Sequence, residues 1–132
     1  MKKKPIIATE LLKGQGLGNQ LFCYVTTRAL AYAKNYDFSI LNKELLDCMY
    51  FIELDCGLDT TKEQFTETYY EKEDRIYLGN SRHDIEHGCY ITGVDNRLLS
   101  LDRTTLLYGN MQDESYFGKY KKEIKAWLKV KP

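Results

Sequence analysis

Residues 6–41 read IIATELLKGQGLGNQLFCYVTTRALAYAKNYDFSIL, and the fold class follows from this stretch. Ile6 to Leu12 is mostly apolar, carries β-branched residues and runs into glycines, which predicts a short buried strand. From Gln20 to Asn35 the apolar residues Leu21, Phe22, Val25, Ala29, Leu30 and Ala33 recur at spacings of three and four, so one face of a helix packs inward. Asn19 is placed to cap that helix. A tight link through Asn35, Tyr36 and Asp37 leads to Phe38-Ser39-Ile40-Leu41, a second strand. Strand, helix and strand form a βαβ unit, whose right-handed crossover makes the two strands parallel neighbours. The expected class is α/β: a Rossmann-like parallel sheet with flanking helices.

Outward from this unit the signal is uneven. Residues 43–75 read as a variable excursion, with a helical turn at Glu44-Leu45-Leu46 and a polar stretch whose apolar anchors are Phe65 and the tyrosines. Arg75-Ile76-Tyr77-Leu78, Cys89-Tyr90-Ile91-Thr92 and Thr104 to Tyr108 are short strand candidates. From Glu114 onward Tyr116, Phe117, Tyr120, Ile124, Trp127 and Leu128 form a helical stripe with lysines on the other face.

At 132 residues the chain fits one domain, residues 1–132, able to bury roughly 65% of its unfolded surface. Nineteen basic and nineteen acidic side chains balance, so no overall field calls for nucleic acid. The basic start, MKKKPIIATELLKG, has too short an apolar run for a secretory signal or a membrane span. Cys23, Cys48, Cys56 and Cys89 form no C-x-x-C pair, so free thiols and a cytoplasmic location are expected.

The loop GQGLGNQLF, residues 14–22, invites comparison with the dinucleotide fingerprint G-x-G-x-x-G. Counting from Gly14, the third glycine falls at Asn19, where a side chain blocks the close helix–strand approach that the fingerprint serves. The spacing suits instead a backbone that approaches a ligand, followed by a helix whose first turn presents unpaired N–H groups. Gly16 and Gly18 present no Cβ, and the amides of Asn19 and Gln20 can pair with sugar hydroxyls. The plainer reading is a tight turn with a capped helix and a solvated Gln20.

Gly16-Leu17-Gly18-Asn19-Gln20-Leu21-Phe22, with Tyr24 and then Arg28-Ala29-Leu30-Ala31, resembles the segment that opens glycosyltransferase family 11, the α-1,2-fucosyltransferases. Gly109-Asn110-Met111-Gln112-Asp113-Glu114-Ser115-Tyr116-Phe117 is similar to a second segment of that family, keeping Gly109, Gln112, Glu114, Tyr116 and Phe117. Asn110 and Met111 replace an aromatic pair, and Ser115 replaces a basic residue. The family's H-x-R-R-x-D segment, which carries a donor-contacting arginine, does not occur in these 132 residues.

The resemblance implies the N-terminal domain of a two-domain GT-B enzyme that moves fucose from GDP-fucose to a galactoside hydroxyl, with inversion and without a metal. It implies a sugar nucleotide and a glycan acceptor as partners, a C-terminal domain beyond this chain, and no turnover by the chain alone. Gly16, Gly18, Asn19 and Gln20 become the candidate substrate-binding residues. No catalytic base is identified, and Arg28, well inside the helix, is expected to be structural. If a partner domain is missing, its exposed apolar contact surface favours self-association.

Two rivals come from other classes. Residues 83–87, HDIEH, fit the H-x-x-E-H pattern in which His83 and His87 bind zinc and Glu86 acts as base. The flanking turn residues and Gly88 leave no long helix to hold such a site, so a solvated turn is the default. The second rival is a non-catalytic α/β binding domain, with the six lysines from Lys119 to Lys131 facing solvent or an anionic partner.

Overall fold

The computed structural model describes residues 3–46, 52–71, 96–109 and 116–129. Among these residues the sheet has four strands, β1 (Ile6–Glu10), β2 (Asp37–Leu41), β3 (Thr68–Tyr70) and β4 (Thr105–Tyr108). All pairs are parallel and the spatial order is β2-β1-β4-β3. The expected parallel α/β sheet with flanking helices is therefore present. The 18-residue helix α1 (Leu17–Lys34) makes the crossover from β1 to β2, which pair in register from Ile6↔Asp37 to Glu10↔Leu41.

One face of the sheet is covered by α1. Ile7, Ile40, Tyr69 and Leu107 point to it and pack with Cys23, Tyr24 and Leu30 of the helix. The short helix α2 (Asn96–Leu99) adds fully buried Leu98 to the same core. A 3₁₀ turn at Gly118–Tyr120 precedes α3 (Lys121–Trp127), which lies on the outer side of α1. Phe22 meets Phe117, and Tyr32 meets the edges of Tyr120 and Trp127.

The opposite face holds a smaller cluster of Ala8, Leu41, Leu106 and Phe65. No helix covers it among the described residues. The segment after Leu54 pairs antiparallel with the free edge of β2 through Ser39 and Gly57, then passes Thr60 and a 3₁₀ turn at Lys62–Gln64 before entering β3. Phe65 supplies the large apolar side chain of that crossing.

Several expectations need correction. The first strand stops at Glu10 rather than Leu12, and the helix begins at Leu17 rather than Gln20. Asn19 is not its cap: Gly16 holds the cap position without a side-chain bond, and Asn19 lies inside the first turn. The cause is Gly14, whose φ of +88° turns the chain early, with the Leu12 N–H donating to Gln15 Oε1 at 2.9 Å to close the loop. The excursion over 43–75 also contributes to the scaffold, because β3 lies within it and pairs with β4 from Thr68↔Leu106 to Tyr70↔Tyr108. Its three residues alternate exposed, buried, exposed, too short a pattern to stand out from polar neighbours. The final helix is shorter than its stripe, since Gly118 leaves the preceding turn as 3₁₀. The strand candidates at 75–78 and 89–92 lie outside the described residues.

Candidate functional site

The carboxyl ends of β1 and β4 lie side by side at the centre of the sheet. From β1 the chain turns through α1 to β2 on one side, while β4 and β3 lie on the other. This is a reversal of strand order, and in open parallel sheets ligands bind in the crevice outside it. The glycine loop, residues 14–22, follows β1, and Gly109 follows β4 directly.

The two segments are in contact. The buried Cys23 thiol donates to the Gly109 carbonyl at 3.1 Å, and the Phe22 and Phe117 rings lie 6.1 Å apart. Burial pushes the Cys23 thiol up to about 11, although a contact from Gln15 opposes the shift. Cys23 is therefore a neutral packing group at ordinary pH. Gly109 has φ +142°, and a Cβ built on it would lie 2.5 Å from Glu71 Cβ, so glycine is required where β4 leaves the sheet.

The four residues expected to bind substrate divide into two kinds. Gly16 and Gly18 are exposed at the α1 N-terminus, and a Cβ at either would meet nothing within 4 Å among the described residues. Asn19 is half-buried in the first turn. Gln20 is buried, and its Nε2 donates to the Leu45 carbonyl at 2.7 Å, tying α1 to the 3₁₀ turn after β2. Its amide is thus engaged by the fold rather than solvated. Lys13, Gln15 and Gly14 join Gln20 and Leu45 around an open hollow of about 310 Å³ beside the helix end. No acidic side chain occupies the first turn of α1, so the partial positive charge there is uncompensated by the helix itself.

Arg28 serves structure, as expected, but through rings rather than a carboxylate. Its guanidinium lies 4.4 Å from the Trp127 ring centre and 5.0 Å from that of Phe38. Nη1 donates to the Tyr24 hydroxyl at 2.8 Å, and that hydroxyl donates to the Asp55 carbonyl at 2.6 Å. Burial pushes the Tyr24 phenol up to about 12, with Arg28 opposing.

A third group of residues at the same end of the sheet escaped the sequence reading. Glu10 ends β1 with its side chain 15% exposed, and the Tyr108 hydroxyl donates to its Oε1 at 2.8 Å. Burial and the neighbouring Glu10 carboxylate hold the Tyr108 phenol well above its ordinary value. Lys62 Nζ lies 3.8 Å from Glu10 Oε1, and the Tyr70 ring stacks on Tyr108 at 5.2 Å and 10°. The one signal in sequence was an acid closing an otherwise apolar strand; the tyrosines are far away in the chain.

His83, Glu86 and His87 lie outside the described residues. Among those described, no group of three or more His, Cys, Asp or Glu could hold a metal ion. No helix among them is long and apolar enough to cross a membrane. No family model, curated protein or solved structure matches the chain.

Proposed function

We propose that this chain is a fucosyltransferase-like glycosyltransferase domain that binds GDP-fucose and a galactoside acceptor at the carboxyl ends of β1 and β4. The observation that carries the reading is the contact between the two resembling segments. They are separated by most of the chain, yet Cys23 meets Gly109 and Phe22 meets Phe117 at the strand-order reversal. An inverting transfer needs oriented donors or positive charge near the leaving diphosphate and a base near the acceptor hydroxyl. The exposed start of α1, with Gly16, Gly18 and nearby Lys13, offers the first of these in part. A cytoplasmic location, where thiols stay reduced, goes with this reading.

Titration of the ¹⁵N-labelled chain with GDP, GDP-fucose and, as a control, UDP tests the reading. Guanosine nucleotides should perturb the Gly14, Gly16, Gly18 and Asn19 amides, and Gly18→Val should weaken binding by about tenfold or more through its added side chain. Failure of every nucleotide to bind at millimolar concentration would sink it. No turnover is expected from the 132 residues alone, because the H-x-R-R-x-D segment is not among them.

A non-catalytic binding domain is favoured by one specific observation. Gln20 and Arg28 spend their polar groups inside the fold. Glycoside binding without any nucleotide binding would select that alternative.

A further inference from the structure

On the face of the sheet opposite α1, a row of side chains crosses three neighbouring strands at their carboxyl ends: Glu10 of β1, Tyr108 of β4 and Tyr70 of β3. With strands about 4.8 Å apart, Glu10 and Tyr70 stand roughly 10 Å apart with Tyr108 between them. Tyr70 is 65% exposed, the most exposed large hydrophobic side chain among the described residues. Its ring is nevertheless positioned, because it lies nearly parallel to Tyr108, whose hydroxyl is anchored on Glu10. Lys62 closes the other side, 5.9 Å from the Tyr108 ring centre.

We propose that Tyr70, stacked on the anchored Tyr108 beside Glu10, is a platform for a pyranose ring, and that this row is the glycoside subsite of the domain. The identity of the sugar as a β-galactoside rests on the transferase reading; the platform itself rests on the row. A galactoside has one face on which the C3–H, C4–H and C5–H groups gather, and their positive edges suit the negative face of an aromatic ring. Glu10 lies on the far side of Tyr108 from the open face of Tyr70, so its part is to anchor the Tyr108 hydroxyl and hold the stacked pair in place.

Saturation-transfer NMR of the full 132-residue chain with methyl β-galactoside and lactose tests the proposal, with GDP run in parallel. Saturation should reach the C3–H, C4–H and C5–H protons. Tyr70→Ala should weaken the glycoside about tenfold or more, Tyr70→Phe should keep affinity within about threefold, and Leu99→Ala, an exposed apolar control elsewhere, should change nothing. The exposed position of Tyr70 makes loss of folding an unsuitable explanation, and a ¹⁵N spectrum of the alanine variant checks this directly. No saturation of either glycoside, or saturation undiminished in Tyr70→Ala, overturns the platform. GDP contact that depends on Tyr70 also overturns it, in favour of a nucleobase site. GDP contact with the glycine loop that is indifferent to Tyr70 keeps the transferase reading alive whatever the sugars do, whereas glycoside binding without GDP supports the platform and removes the transferase.

Discussion

At the level of single residues, Gly14 in the loop and Gly18 in the first turn of α1 should respond to substitution in opposite directions. Gly14 holds φ +88°, so Gly14→Ala should cost about 1 kcal/mol or more in urea unfolding. Gly18 lies within a helix and has open space around its absent Cβ, so Gly18→Ala should stabilise the fold by about 0.5–1 kcal/mol. A stabilised variant with weakened nucleotide binding would mean that this glycine serves a ligand and not the fold. Cys23 supports a pH prediction. Below pH 9 the thiol is protonated in the folded and the unfolded chain, and its contribution to stability is complete. Between pH 9 and about 11 the unfolded chain releases the proton while the buried thiol keeps it, so stability falls as pH rises. The loss should approach roughly 2–3 kcal/mol at most, and Cys23→Ala should flatten that interval in a series of unfolding curves.

Among the elements, α3 depends on Arg28 for its position. No side chain of α3 is fully buried, so its docking rests on half-buried Ile124 and Leu128 and on the stacking of Trp127 over the guanidinium. Arg28→Ala should cost about 1–2 kcal/mol and shift the emission of Trp127, the chain's only tryptophan, toward that of a solvated indole. Arg28→Lys should recover part of the loss, because the charge remains over the ring while the planar stack does not. An unchanged emission spectrum in the alanine variant would remove the clamp from the account. The opening βαβ unit was legible because its strands and helix each have an internal period. By contrast β3 was not, because a strand with one buried residue, Tyr69, is defined by its partner β4 rather than by its own pattern.

For the whole molecule, the sheet is covered unequally. Its α1 face has a long helix, whereas the other has Phe65 and an irregular crossing among the described residues. Hydrogen exchange should therefore rank the amides of β1 and β4 as slowest, with β3 and residues 56–65 opening first; uniform protection across the four strands would contradict this. On that second face Tyr70 is 65% exposed and Tyr108 half-buried, both at the carboxyl ends of their strands. In the candidate site, the glycines and Asn19-Gln20 were visible as a local motif, but the inward turn of Gln20 toward Leu45 and the row Glu10–Tyr108–Tyr70 were not. The sequence by itself determined the parallel α/β class, the place of the glycine loop between strand and helix, and the structural part of Arg28. Each of these rests on near neighbours in the chain, where periodicity and glycine chemistry act directly. Only the tertiary structure decided which strands stand together, that Cys23 of α1 meets Gly109 at the end of β4, and which carboxylate meets which ring. Those facts depend on side chains nearly a hundred residues apart, brought together by the common need to bury a sheet and pair its edges.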